Sequence, residues 1–560
     1  MGIKRKISSA ISIWRRDGLV GVRNHFKLLK RVADDQQRYE RWLLKHGTLN
    51  ENKRREIRSQ IAAMKSRPLI SIVLPVYADD DIWLRQCINS VRGQLYENWE
   101  LCIGEDCSPV AAVRNTLNEM AAYDSRVKIC FRPENGNISA ASNSALDLAT
   151  GDFTALLDHD DELSEDALFW LAREIEMHPD ASVIYSDEDM LDVNGVRSKP
   201  TFKPDWSPDL MYSLNMLNHL TAYRTSVVRQ IGGFRLGAEG SQDYDLALRV
   251  IEKIRPDQIR HIPRILYHWR AIEGSVAYGS EEKPYAHERA REAIREHFGR
   301  LGIKATVEKT QMNRHRVRYT LPNVLPKVTV LLHGDADEGE ISRLASGVDY
   351  DGAEFKIITT GTNSAEILNK AVADSEGEIL VFLSKLASPT TGDWLMELPA
   401  FALQPEIGAV GGRILDSELR VWDGGIILGT SDLLSVAHGG LPSNFPGNIS
   451  RNQVICNYSA VSVSCLAMRR EVFEKVGGFD SEHFPGALFD VDLCLRLGER
   501  GYRIVLDPYV DFTCNKNFER QKPSAIEEKY FRQRWHQHIR SDPFYNPNLS
   551  RLDGAFTVEV

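Results

Sequence analysis

Short apolar runs bounded by polar or turn residues recur along the first half of the chain: LISIVLPVY (69–77), WELCIGEDCS (99–108), VKICF (127–131), FTALL (153–157), SVIYS (182–186) and IPRILYHWR (262–270). Runs that are apolar on both faces read as buried strands. Between them lie helical patterns, such as Leu84, Cys87, Ile88, Val91 and Leu95 spaced along one face. Strands alternating with helices predict an α/β fold with a mostly parallel sheet, right-handed crossovers and a ligand crevice at the carboxyl ends of the strands. Residues 34–66 are highly charged and helical in character, and Arg67-Pro68 closes them off. Pro322 and Pro326 mark residues 304–327 as a linker. The predicted organisation is a helical segment 1–66, an α/β domain 67–303, a linker 304–327 and a second α/β domain 328–560.

Acids collect at the predicted strand ends. In GDFTALLDHDDEL (Gly151 to Leu163) the apolar run stops at Asp158, and His159, Asp160, Asp161 and Glu162 follow with no Lys or Arg among them. Read as an extended segment, positions i and i+2 share a side, so Asp158 and Asp160 present their carboxylates together. That donor set suits Mg2+ or Mn2+, which takes one or two carboxylates and completes its shell with water and substrate phosphate. The alternative is a solvated acidic turn favouring the N-terminus of the helix that begins near Ser164. Tyr77, Glu105 and Asp106 fall at other strand ends, and no GxGxxG accompanies them, so a metal-bridged phosphate ligand fits better than a dinucleotide. Of Asp243 and Asp245, at the start of an apolar helix, one is expected to cap the helix and the other to act in catalysis. His268 and Arg270 leave another strand-like run as a candidate third metal ligand and a candidate phosphate clamp. The alternative for His268 is a core histidine.

Composition adds limits. The chain has 560 residues, long enough for two or more domains, and a net charge of −9 that argues against nucleic acid as a partner. Its first residues run the other way, with Lys4, Arg5, Lys6, Arg15, Arg16, Arg23, Lys27, Lys30 and Arg31 interleaved with apolar side chains. Such a stretch predicts either peripheral contact with an anionic membrane or a solvated helix. No apolar run approaches a membrane span and no signal peptide is evident, so the chain is expected in the cytoplasm. The eight cysteines are scattered without a CxxC and read as structural.

The scheme repeats faintly. NSALDLATGDFTALLDHDDEL (143–163) is echoed by NKAVADSEGEILVFLSKLASP (369–389), which sets Asn369 over Asn143 and Gly377 over Gly151. Asp158 then becomes Ser384, His159 becomes Lys385 and Asp160 becomes Leu386. GGF recurs at Gly477 to Phe479, and DYDLALR (243–249) recurs as DVDLCLR (490–496). One working site and one site without its acids are expected, with Lys385 as a possible anion contact in the second.

The ordered series PVY (75–77), EDCS (105–108), ENGNISAASNSAL (134–146), LDHDD (157–161), YSDED (185–189), QDYDL (242–246) and YHWR (267–270) resembles the family 2 inverting glycosyltransferases of GT-A fold. The resemblance is closest to the bacterial cell-surface polysaccharide and O-antigen type, including a second transferase-like module. It implies two GT-A-like domains in tandem, a nucleotide-diphospho-sugar donor and a glycan acceptor, lipid-linked at the inner membrane face. Pro75, Val76 and Tyr77 match the loop beside the nucleotide, and Glu105 and Asp106 match the acids that touch base and ribose. Asp158 and Asp160 match the DxD motif, with Asn143 and His159 also among the residues around the nucleotide sugar. Asp243 matches the base and His268 a late-chain histidine. Glu105 stands where the family more often has Asp, and Gln242 replaces the commoner Glu. A processive synthase needs membrane helices and QxxRW, whereas this chain has FRQRW at 531–535; a nucleotidyltransferase needs a glycine-rich phosphate loop near its start. A non-catalytic scaffold of two transferase-like folds is the remaining alternative.

Overall fold

The structure, a computed structural model, describes residues 31–560 apart from 32–33, 79, 273–283, 311, 335–349, 351–352, 358–363, 385–386 and 515–519. The basic N-terminal stretch up to Lys30 and Lys385 therefore lie outside the described residues. The chain divides into two compact units. The first comprises Tyr39–Trp206 and Leu214–His315; the second comprises Arg316–Val560, Ser207–Ser213 and the described residues up to Arg38.

The first unit is built on one sheet of β1 (Ile70–Val76), β2 (Trp99–Glu105), β3 (Val127–Phe131), β4 (Phe153–Leu156), β5 (Glu162–Leu163), β6 (Val183–Leu191), β7 (Arg197–Thr201), β8 (Thr221–Arg224) and β9 (Ile259–Arg270). Their order is β3-β2-β1-β4-β8-β6-β9-β5, with β7 beside β6. β1, β2, β3 and β4 pair in parallel, as do β6 and β9. β8, β5 and β7 run antiparallel to their neighbours. The sheet is thus mixed and parallel-rich, because the short strands that carry little apolar signal are the antiparallel ones. Ile70, Ile72, Leu74, Leu101, Ile103, Phe153 and Ala155 form the core with the helices that cover them, including Ile82–Arg92 and Ala167–Met177. Ala305–Lys309 (β10) and His315–Tyr319 (β11) form a two-stranded ribbon inside the stretch read from sequence as a linker.

The second unit repeats the design. β12 (Val328–His333), β13 (Ala353–Ile357), β14 (Ile379–Ser384), β15 (Ser388–Pro389), β16 (Ile407–Leu415) and β17 (Val421–Asp423) are joined by β20 (Cys456–Asn457), β22 (Cys465–Arg469) and β23 (Arg503–Thr513). The order β13-β12-β14-β22-β16-β23-β15 matches β2-β1-β4-β8-β6-β9-β5 strand for strand. A small sheet of β18 (Gly425–Leu428), β19 (Leu434–Val436) and β21 (Ala460–Val461) is added. This unit also takes in the helix Pro208–Ser213 from the middle of the first half of the chain. Asp209 accepts from Asn457 Nδ2 at 2.7 Å and lies 3.3 Å from Arg503 Nε, and Ser213 donates to the Ile455 carbonyl at 2.9 Å.

Matching hydrogen bonds hold both frames. Asn143 Nδ2 donates to the Phe234 carbonyl and its Oδ1 accepts from the Phe234 amide, both at 2.8 Å; Asn369 does the same to Phe479 at 2.8 and 3.0 Å. Arg249 pairs with Asp245 at 2.8 Å as Arg496 pairs with Asp492 at 2.7 Å. Gly151 donates to Ser71 Oγ and Gly377 to Thr329 Oγ1, each at 2.9 Å. A Cβ on Gly151 would meet the Leu69 carbonyl at 2.5 Å, and one on Gly377 the Thr329 nitrogen at 2.3 Å, so only glycine permits these approaches. Asn143→Ala and Asn369→Ala each orphan a backbone donor and acceptor. Each is expected to lower stability by roughly 2 kcal/mol in chemical denaturation, with similar losses from the two units.

Candidate functional site

The acidic motif sits at the carboxyl end of β4, next to the end of β1. Asp158 to Asp161 form a tight turn closed by the Asp161 amide on the Asp158 carbonyl at 3.2 Å, not the extended segment expected from sequence. Asp161 is wholly buried and anchors that turn: its Oδ1 accepts from the Arg270 amide at 2.7 Å and its Oδ2 from the Tyr267 hydroxyl at 2.5 Å. Asp158 stands at the surface of the cleft with a side chain 44% exposed. Its carboxyl is raised above the usual range by lost hydration; His219 opposes this, and Asp160 and Asp243 add to it. Asp243, distant in sequence, is brought to the same site, since Asn218 donates to it and the adjacent His219 stands 4.0 Å from Asp158. It begins the helix Gln242–Ile251, and its Oδ2 accepts from Asn215 Nδ2 at 3.0 Å and from Asn218 Nδ2. Both of these donors are neutral amides. Asp245 is the structural acid of the two, buried between Arg249 and Arg235.

At the end of β2, Glu105 and Asp106 are buried. Glu105 Oε1 accepts from the Ser108 amide at 2.5 Å, and Asp106 Oδ1 accepts from Arg132 Nε at 2.7 Å and the Gly136 amide at 2.9 Å. Among the described residues the buried Glu105 Oε2 and Asp106 Oδ2 accept no hydrogen bond, though Glu105 Oε2 lies 3.7 Å from Arg114 Nη2. Pro75 and Val76 end β1 between these two acid groups, and Tyr77 follows with half its surface exposed.

Three expectations change. His268 does not join Asp158 and Asp160, and among the described residues no three His, Cys, Asp or Glu side chains converge as a ligand set. The reason is strand alternation. Tyr267 and Trp269 face His219, whereas His268 lies opposite Asp189 and its Nδ1 sits 2.6 Å from Asp189 Oδ1. Asp189 in turn accepts from the Tyr39 hydroxyl at 2.5 Å and pairs with Arg197. Arg270 is buried and committed to the acidic turn through the Asp160 carbonyl at 2.8 Å and the Glu162 carboxylate, its guanidinium 4.4 Å from the Trp83 ring. It braces the turn and does not reach out as a phosphate clamp. Asn143 belongs to the frame described above. His159 stands in the turn between Asp158 and Asp160.

His219 is the residue that the sequence pattern missed. Its amide and Nδ1 both meet Glu188 Oε2, at 2.7 and 2.9 Å, its ring stacks on Tyr267 with centroids 4.6 Å apart, and its Nε2 is 4.0 Å from Asp158 Oδ2. Burial lowers its proton affinity, but Glu188 and then Asp158 outweigh that, and the net shift is upward. Lys203 supports the loop from below by donating to the His219 carbonyl at 2.8 Å. NHL lies in a stretch without periodicity, so only an odd polar pair among apolar neighbours marked it.

Residues 71–230 match the family model described as Glycosyl transferase family 2. An uncharacterized protein, y4gI, of Sinorhizobium fredii is 35% identical over 540 residues, 89% of this chain and 59% of the relative. The O-antigen biosynthesis protein RfbC of Myxococcus xanthus is 32% identical over 534 residues, 88% of this chain and 41% of the relative. The chain thus spans well under two thirds of either. The S. aureus TarS structure in complex with UDP-GlcNAc aligns with 41% of this chain and 72% of its own, at 19% identity and a TM-score of 0.32. The architecture is α/β, as expected, with two parallel-rich mixed sheets of like strand order.

The layer below the site yields a pH dependence. His261 is held between Asp187 Oδ1 at 2.9 Å and Asp205 Oδ1 at 3.0 Å, and although burial opposes its charge these acids raise its pKa to about 9. A raised pKa stabilises fully below the unfolded value of about 6.5 and is lost as pH climbs through about 9. The urea midpoint of the wild type is expected to fall across that window, and that of His261→Gln to fall less.

Proposed function

We propose that the chain is an inverting glycosyltransferase that moves a sugar from a nucleotide-diphospho-sugar to a hydroxyl of a glycan acceptor. The observation that carries this reading is that Asn218 and His219, adjacent in the chain, link Asp243, held by neutral amides, to Asp158 of the strand-end turn. Hard carboxylate oxygens on a partly open turn fit Mg2+ or Mn2+, and Asp158 with Asp160 would hold it. Once bound there, the ion offsets the charge that develops on the departing diphosphate. Asp243 accepts the proton of the acceptor hydroxyl on the face opposite the leaving group, so one displacement inverts the anomeric carbon. General-base assistance of this kind is worth roughly 10²- to 10⁴-fold. Glu105 and Asp106, whose buried Oε2 and Oδ2 accept no hydrogen bond among the described residues, take the nucleoside end, beside Pro75, Val76 and Tyr77.

The second unit is non-catalytic in this reading. Ser384 stands where Asp158 does, and Asp490, the counterpart of Asp243, is paired with Arg520 at 2.6 Å. The product is assigned to cell-surface polysaccharide of the O-antigen kind, a role supported by the name of the M. xanthus relative. A lipid-linked acceptor and a cytoplasmic, membrane-peripheral location are supported by the basic N-terminal stretch; no helix among the described residues is long and apolar enough to cross a membrane. In a screen of nucleotide sugars, one donor is expected to raise the melting temperature only with Mg2+ or Mn2+ present. Asp160→Ala should abolish that shift, and Asp243→Asn should keep it while transfer falls at least 10²-fold. Normal turnover by Asp243→Asn would place the base elsewhere.

A further inference from the structure

The second unit serves as an internal control that separates residues of the chemistry from residues of the frame. Strand pairing fixes the register between the units: Phe153 opposes Arg224 as Ile379 opposes Arg469, and Tyr267 opposes Leu163 and Glu188 as Phe512 opposes Pro389 and Ile414. In this register the frame residues persist, with Asn369 for Asn143 and the Asp492–Arg496 pair for Asp245–Arg249. A different set changes together. Ser384 replaces Asp158, Ile414 replaces Glu188, Ser464 replaces His219, and Phe512 replaces Tyr267. Three of these positions surround the fourth, His219.

The geometry of His219 leaves it one free edge. Nδ1 and the backbone amide are both spent on Glu188, and one ring face is covered by Tyr267. Nε2 makes no hydrogen bond among the described residues and points into the gap of 4.0 Å before Asp158, too long for a direct bond. An imidazole backed by a carboxylate and stacked on an aromatic ring is fixed in orientation, and in its imidazolium form the Nε2–H is a donor that suits a phosphate oxygen beside the acids.

We propose that His219 contacts the donor's diphosphate through Nε2, with Glu188 as its positioning residue. The inference rests on the glycosyltransferase reading of the site. It is tested on the full chain by calorimetric titration with UDP, GDP, ADP and dTDP in Mn2+, and with the monophosphate of whichever binds tightest. His219→Ala is expected to weaken the diphosphate about 10- to 100-fold and the monophosphate by no more than about twofold. Glu188→Gln should give a loss of the same selectivity and smaller size, and His219→Gln, which keeps an amide donor near the Nε2 place, should recover part of the affinity. Unchanged diphosphate binding in His219→Ala, or equal losses for both nucleotides, overturns the proposal. Loss of binding in Asp160→Ala alongside intact binding in His219→Ala removes this inference and leaves the site reading standing. Binding unaffected by Asp160→Ala, or absent for all four diphosphates in the wild type, removes both.

Discussion

A buried carboxylate holds the acidic turn to the sheet. Four acids in succession repel one another, and Asp161 is the one sent inward, where burial together with Asp160 and Asp158 pushes its proton affinity well up. It is kept in place by the Tyr267 hydroxyl and the Arg270 amide on β9, a strand far away in the sequence. Arg270 then returns to the Asp160 carbonyl, so the turn is fastened to β9 at both ends. The cluster is tolerable because one acid is satisfied by neutral donors and another, Glu162, is paired with the Arg270 guanidinium. Asp158 and Asp160 remain as the acids of the turn that face the cleft, and their placement is inherited from Asp161.

The two units record what happens when such a cluster is dismantled. A polar network that is partly satisfied in a low-dielectric interior is worse than an apolar one, so its members tend to go as a set. In the second unit Asp161 has become Ala387, and Glu188 and Tyr267 have become Ile414 and Phe512. Asp490, the counterpart of Asp243, is retained, and it is neutralised internally by Arg520, with the Val463 amide on its other oxygen at 3.0 Å. Among the described residues Asp243 is met by two amides, where its counterpart is met by a guanidinium.

Much of this was legible in the sequence. Central parallel strands are apolar on both faces and announce themselves; the acids at their ends and the weak repeat marked the crevice and its altered copy. The short strands β5, β7 and β8 were not legible, since strands of two to five residues carry too little periodicity against their flanks. Helix Pro208–Ser213 has a local signature, but nothing local says that its partners Asn457 and Arg503 lie in the other half of the chain. His268 was placed by its position late in a strand-like run, which does not say which side of the strand it faces, and on a strand adjacent residues face opposite ways. His219 escaped because its importance comes from Glu188 and Tyr267, contacts made only on folding.

The strand order itself argues for where a nucleotide lies. β1 is flanked by β2 on one side and β4 on the other, and the chain visits the first by way of one crossover and the second only after β3. Such a reversal opens a crevice beyond the carboxyl ends of the strands, with no side chain from an intervening crossover to fill it. Glu105 and Asp106 stand at the end of β2, the Asp158 turn at the end of β4, and Pro75 to Tyr77 at the end of β1 between them. Two strand spacings separate the outer pair, about 10 Å. A ligand that satisfies both acid groups at once must therefore be elongated, carrying hydrogen-bond donors at one end and, at the other, an anion able to share a cation with carboxylates. A nucleoside joined to a diphosphate has that polarity; a free sugar or a simple phosphate answers only one end.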